Sequence, residues 1–128
     1  MKTRPINTVL LAEDYEKLVD WYQEALDLDI KLQTSKDYHY TDLAQEGRLV
    51  VGICPASEMN ITLPKPRANS MVLHVSVDDI EGLFKRVVEM GGKVTQGPSV
   101  DRNEGFKFGG FEDPEGNPVW VIENFKFQ

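Results

Sequence analysis

An internal repeat limits the possible folds of this chain more than any other feature. Asp14–Leu18 parallels Asp79–Leu83 at an offset of 65 residues, and Glu46–Val51 parallels Glu115–Trp120 at an offset of 69. Each copy has the pattern of a strand, a helix and three further strands. A half of this length has too small a core to be stable alone, so the two halves must pack together or pair with a second chain. The 128 residues therefore predict one α+β domain built of two βαβββ modules.

Composition places a connector between the two modules. Residues 56–69 contain Pro64, Pro66, Asn60 and Asn69, which interrupt regular structure. The segment is long for a simple loop, so we expect it to cross the protein surface or to dock on a partner. The predicted organisation is module 1–55, connector 56–69 and module 70–128.

Two apolar stripes at helical spacing predict the helices. The first helix starts at Glu13-Asp14, and the second starts at Asp78-Asp79, where Asp78 and Glu81 have the spacing of a capping box. Gly91-Gly92 ends the second helix. The residues expected to be buried are, in the first helix, Tyr15, Leu18, Val19, Tyr22, Ala25 and Leu26, and in the second helix, Ile80, Leu83, Phe84, Val87 and Val88.

The segments outside the helices predict eight strands. One of them, 28–33, alternates between apolar and polar residues as a half-buried strand does. Residues 97–105 are predicted to form a loop, and Asp113–Asn117 a turn, in which Asp113 and Glu115 serve turn geometry. The predicted strands are 6–12, 28–33, 38–44, 48–54, 71–77, one beginning at 93, 106–112 and 119–123.

The charge and the single cysteine narrow the classes of partner. A net charge of −7 repels nucleic acid and anionic membranes, and it is neutral or favourable toward a cationic ligand, or it only keeps the protein soluble. No apolar run approaches the length of a membrane span. Cys54 is the only cysteine, so neither an intramolecular disulfide nor a cysteine metal cluster can form, and the cytoplasm is the simplest compartment.

The chain resembles the vicinal oxygen chelate superfamily, which includes glyoxalase I, extradiol dioxygenases and the fosfomycin- and bleomycin-resistance proteins. The resemblance covers nearly the whole chain, and it implies curved mixed sheets that enclose a cleft, within an intimate homodimer. The features that carry it are Asp14 seven residues before Trp21-Tyr22 and eight after Ile6, the Val77-Asp78-Asp79 entry to the second helix, the Gly91-Gly92 exit, and Asp113-Pro114-Glu115-Gly116-Asn117.

The resemblance also implies where a divalent metal would be bound. Enzymes of the family hold it with His and Glu from the first and last strand of each module. The matching positions here are Asn7, Val72, Trp120, and either Val51 or Gly52. None of these is a good ligand for Zn²⁺, Fe²⁺ or Mn²⁺. The sequence therefore predicts no metal and no other cofactor, and it departs from the metalloenzyme pattern at every mapped position.

Five residues are the candidates for ligand binding. Trp120 would place a flat apolar surface in the cleft, which suits a planar or cationic ligand, or it would fill a collapsed cleft as core. His74 would orient a ligand or act as a general base, or be a histidine bonded to backbone or water. Asn7, Tyr40 and Phe108 lie at positions that would line the same cleft.

Three functional hypotheses follow. The first is a metal-free, homodimeric protein that binds a small organic molecule, cationic or planar, as bleomycin-resistance proteins do. The alternative is a metal-dependent lyase or dioxygenase whose non-standard site uses His74, Glu123 and His39. The third is a non-catalytic interaction or regulatory domain, which a lack of any cleft would favour.

Overall fold

The computed structural model describes residues 1–124 and divides into two compact units, Met1–Leu63 and a second that begins at Pro64. In this described part of the chain, each unit contains one α-helix and one four-stranded sheet in the order of the predicted repeat. The α+β class and the two βαβββ modules are therefore confirmed. The boundary between the units falls inside the predicted connector. Among the described residues, no helix is long and apolar enough to cross a membrane.

In the first unit, α1 packs against β1 and β4, and the strands lie in the order β1-β4-β3-β2. The carboxylate of Asp14 accepts a hydrogen bond from the Lys17 amide and so caps α1. Strand β1 runs parallel to β4, and the other pairs are antiparallel. The elements are β1 Thr8–Ala12, α1 Tyr15–Ala25, β2 Asp29–Thr34, β3 Tyr40–Gln45, β4 Arg48–Pro55 and a short 3₁₀ helix Ala56–Met59.

The second unit repeats this plan with the strand order β5-β8-β7-β6. Its helix packs on β6, β7 and β8, and the rings of Phe84 and Phe111 meet edge to face at 6.1 Å between centroids. Such aromatic pairs stabilise a core beyond the area they bury. The elements are β5 Leu73–Val77, α2 Ile80–Glu89, β6 Lys93–Val100, β7 Lys107–Glu112 and β8 Pro118–Glu123.

Helix α2 differs from its predicted form at its start and on its buried face. The N-cap is Asp79, whose carboxylate accepts from the Gly82 amide at 3.0 Å, so the predicted start at Asp78-Asp79 is confirmed, but the predicted capping box of Asp78 with Glu81 was wrong. Val88 is 58% exposed, whereas Val87 is fully buried. The prediction for Val88 was wrong because the sheet covers only one side of the helix, and successive helical residues point about 100° apart.

Two strand predictions were also wrong. Strand β6 continues through Gly97 and Pro98 to Val100, although the predicted loop begins at Gly97. Register shifts on either side of Gln96 accommodate these residues, so the strand bulges instead of ending. Strand β2, predicted to be half-buried, is an edge strand that within residues 1–124 pairs with β3 alone, and its apolar side chains Ile30 and Leu32 are exposed.

The turn Asp113–Asn117 owes its shape to one carboxylate. Oδ1 of Asp113 accepts from the amides of Glu115 and Asn117 at 2.9 and 3.0 Å, and Oδ2 accepts from the Asn117 side chain at 2.9 Å. Glu115 has a different role from the predicted one, because its Oε1 accepts from Arg67 at 3.0 Å. The end of the predicted connector thus docks on this turn within the second unit.

Candidate functional site

The face of the first sheet that lies opposite α1 carries a cluster of three polar side chains, Asn7, Tyr40 and Asp42. Strand alternation brings them together, because Tyr40 and Asp42 are two residues apart on β3 and therefore share a face. Asn7 immediately precedes β1. Asn7 Nδ2 donates to Asp42 Oδ1 at 2.7 Å and to the Tyr40 hydroxyl at 3.3 Å. The Tyr40 hydroxyl donates to the same Oδ1 at 2.6 Å.

Gly52 makes room for this cluster. A β-carbon at Gly52 would lie 2.4 Å from the Tyr40 hydroxyl oxygen and 3.0 Å from Asn7 Nδ2. In the sheet, Gly52 is paired with both Val9 and Asp42. The absence of a side chain at this position lets Tyr40 lie directly over the strand.

Burial and the neighbouring carboxylate affect the ionisation of Tyr40. Burial is the largest cause and raises the pKa of its phenol, and the hydrogen bond to Asp42 raises it further. Burial also raises the pKa of the Cys54 thiol, with a smaller contribution from Glu58. Tyr40 is therefore a neutral donor at physiological pH, and Cys54 is not an activated nucleophile.

The corresponding face of the second sheet is aromatic. Trp120 is 50% exposed, and its ring meets that of His74 edge to face at 6.3 Å between centroids. These two residues are partners on β8 and β5. Phe108 is half-buried, and its ring lies 6.0 Å from that of Phe106. Alternation on β7 puts Phe108 on the same face as Gly110, the residue paired with Trp120.

The register of the strands shows which residue in the first unit corresponds to Trp120. Trp120 pairs with His74, and the residue 65 positions before His74 is Val9, which pairs with Gly52. The counterpart of Trp120 is therefore Gly52 and not Val51. At this register position the first unit has a glycine, which has no side chain, and the second unit has a tryptophan, the largest side chain.

The five candidate residues thus fall into two groups. The structure brings Asn7 and Tyr40 together in the first unit, and it places His74, Phe108 and Trp120 on one face of the second. The sequence reasoning missed Asp42, which is only 8% exposed and forms the shortest hydrogen bonds of the cluster. Its signal was the two-residue spacing from Tyr40 on a predicted strand.

The side chains at the family's metal positions, and those beside them, do not fit a divalent metal. The first unit offers one carboxylate beside an amide and a phenol, and the second offers one imidazole beside an indole. Within residues 1–124, no three His, Cys, Asp or Glu side chains are grouped to hold a metal ion. Two of the three residues named for a non-standard site have other partners, since Glu123 accepts from the Ile80 amide and His39 pairs with Glu58 at 2.6 Å.

A comparison with protein-family models gives one match that spans most of the chain. The model of the Glyoxalase/Bleomycin resistance protein/Dioxygenase superfamily matches residues 5–121. The chain belongs to this superfamily. The resemblance drawn from its sequence is therefore confirmed. No curated protein matches the chain at a significant level.

Several solved structures share the fold of this chain at low sequence identity. A hypothetical protein from S. aureus is 22% identical with a TM-score of 0.73, over 96% of this chain and 95% of that one. A glyoxalase-related enzyme from Fulvimarina pelagi is 17% identical with a TM-score of 0.72, over 96% and 89%. TnmS3, an antibiotic binding protein from Streptomyces sp. CB03234, is 20% identical with a TM-score of 0.67, over 95% and 96%.

Proposed function

We propose that this protein binds a small organic molecule without using a metal ion, and that Trp120 provides the main contact surface. The single observation that carries this proposal is the 50% exposure of Trp120. A tryptophan is usually among the most buried side chains of a domain, so a half-exposed indole on a sheet face is available for stacking. This observation favours the binding hypothesis over a core role for Trp120.

The neighbours of Trp120 support a planar ligand. His74 holds its ring edge-on to the indole and leaves the indole partly open to solvent. Phe108, on the same face, adds a second apolar surface. An aromatic surface of this kind attracts planar rings by dispersion and cations through the ring quadrupole. The net charge of −7 further favours a cationic ligand over an anionic one.

One structural neighbour supports the same function. TnmS3, which shares the fold, is an antibiotic binding protein. We propose by analogy that this chain sequesters or carries its ligand and does not transform it. We also propose that it acts in the cytoplasm as a homodimer, the assembly that the sequence resemblance implies.

A fluorescence titration tests this proposal. Quinoline, which is planar and neutral, and 9-aminoacridine, which is planar and cationic, are added to the wild type and to Trp120→Ala. We expect saturable quenching in the wild type that the variant lacks. Equal quenching in both proteins would contradict a role for Trp120.

The alternative, a metal-dependent lyase or dioxygenase with a non-standard site, has a separate test. Elemental analysis is made on protein purified without chelator, and activity is assayed after addition of Ni²⁺, Zn²⁺, Mn²⁺ or Fe²⁺. A stoichiometric metal together with metal-restored activity would support the alternative and contradict the metal-free proposal.

A further inference from the structure

The hydrogen-bond donors of the Asn7–Tyr40–Asp42 cluster are all in use. A side-chain amide has two N–H donors, and those of Asn7 are directed to Tyr40 and Asp42. The single O–H of Tyr40 is directed to Asp42. The cluster therefore has no donor left for a ligand.

The orientation of the Asn7 amide follows from its neighbour. If the amide were flipped, its oxygen would face Asp42 Oδ1 at 2.7 Å, and two acceptors would repel each other at that distance. The carboxylate thus holds Asn7 with its nitrogen inward and its Oδ1 directed elsewhere. This arrangement makes Asn7 an acceptor toward any incoming group.

The remaining capacity of the cluster is entirely that of an acceptor. Both recorded hydrogen bonds of Asp42 end on Oδ1, so Oδ2 has no partner among residues 1–124, and neither has Asn7 Oδ1. Neither Asp42 Oδ2 nor Asn7 Oδ1 is fully buried by the described residues. Both oxygens therefore keep some access to the surface.

Asp42 is a carboxylate whose neighbours in the cluster are both neutral. Its side chain is more than nine-tenths buried, and its two donors are an amide and a phenol. A buried carboxylate without a cationic partner loses much of its hydration and gains most from a positive charge that also donates hydrogen bonds. The unfilled oxygen of Asp42 is where such a group would bind.

We infer that the Asn7–Tyr40–Asp42 cluster is a recognition site for a cationic nitrogen group, such as an amidinium, guanidinium or ammonium group on a small molecule. Asp42 Oδ2 accepts the charge-assisted hydrogen bond, and Asn7 Oδ1 accepts a second one. Tyr40 holds the carboxylate in place from the other side, and the bare backbone at Gly52 allows it to do so. This site goes beyond the Trp120 surface, because its carboxylate accepts a charge-assisted hydrogen bond, which an indole cannot do.

Two matched probes test the inference. Benzamidine is a cation at neutral pH, and benzamide is a neutral analogue of similar shape and size. Each is titrated into ¹⁵N-labelled protein, and the amide shifts of β1, β3 and β4 are followed. We expect benzamidine to shift these resonances at millimolar concentration and to bind at least about tenfold more tightly than benzamide, because one partner is charged.

Three variants make the test specific. Asp42→Asn keeps the shape of the side chain and an acceptor oxygen for Asn7 and Tyr40. We expect its affinity for benzamidine to be at least about tenfold lower than that of the wild type. Tyr40→Phe keeps the charge of the carboxylate but removes the hydrogen bond that holds it in place, and we expect it to weaken benzamidine binding by less than Asp42→Asn does. Val88→Ala, whose side chain is exposed on α2 and has no role in either site, is the control and should retain this binding. Equal affinity for the two probes, or unchanged benzamidine binding by folded Asp42→Asn, would overturn the inference.

Discussion

Tyr40 lies over Gly52 so closely that a β-carbon on this glycine would be 2.4 Å from the phenol oxygen. The same register position in the second unit holds Trp120. Two repeats of one fold therefore present different surfaces, one a polar cluster over a bare strand and the other an exposed indole. This asymmetry is the basis for assigning charge recognition to the first unit and stacking to the second.

Gly52→Ala should displace Tyr40 and cost about 1–3 kcal/mol of stability, as overpacking generally does. The substitution also removes glycine's conformational freedom from the unfolded chain, so the measured loss will be smaller than the steric cost alone. Urea unfolding of Gly52→Ala, of Tyr40→Ala and of the double variant measures the coupling. We expect the double variant to be more stable than additivity predicts, whereas strict additivity would show that the two residues do not conflict.

Stability should fall more steeply in alkali for the wild type than for Tyr40→Phe. Burial and Asp42 raise the pKa of Tyr40 above its ordinary value of 10.0, so the folded state holds this proton to higher pH than the unfolded state. The resulting stabilisation is complete below the unfolded pKa and is lost as pH rises through the folded pKa. Urea midpoints at about pH 9 and about pH 11 check this, since other groups titrate alike in both proteins. An equal fall of the urea midpoint in both proteins would contradict the raised pKa.

Val87 and Val88, which are adjacent on α2, test which side of this helix is buried. Val87→Ala should destabilise the protein by about 1–3 kcal/mol, because Val87 is fully buried and its truncation leaves a cavity. Val88→Ala should change stability by no more than about 0.5 kcal/mol, since Val88 is 58% exposed and alanine is the better helix former. Thermal denaturation of both variants is the measurement, and similar losses would mean that Val88 is also buried.

Glu115→Gln should destabilise the protein by about 3 kcal/mol, because it removes the negative charge that pairs with the Arg67 guanidinium in a buried ion pair. The two side chains are only 13% and 6% exposed. Glu81→Gln is the matched control, since Glu81 pairs with Lys107 at 3.2 Å but is 65% exposed. The loss of stability in Glu81→Gln should stay below about 1 kcal/mol. Chemical denaturation compares the two, and equal losses would contradict the burial of the Arg67–Glu115 pair.

Local patterns in the sequence were enough to predict most of the fold. The helical stripes, the glycine stop after α2 and the turn at Asp113 each depend on neighbouring residues, and the family match confirms the architecture they imply. The errors arose where tertiary context decides. Val88 continues the apolar spacing of its helix, but the sheet does not extend around to it.

The candidate site shows the same division. Asn7 and Tyr40 were predicted to share a site, whereas Asp42 was missed because a single aspartate on a predicted strand resembles a solvated one. Its importance depends on partners 2 and 35 positions away in the chain. Glu115 was likewise assigned to turn geometry, since its partner Arg67 lies 48 positions away.

The indole N–H resonances of the two tryptophans test the central claim most directly. Trp21 is 6% exposed and Trp120 is 50% exposed, so one ring serves as an internal control for the other. The resonances are assigned with Trp120→Phe, and ¹⁵N-labelled wild type in the presence of chelator is titrated with quinoline and 9-aminoacridine. The account predicts a saturable shift of the Trp120 resonance with that of Trp21 unchanged. A Trp120 resonance that stays fixed with both compounds, or moves only together with that of Trp21, would contradict it.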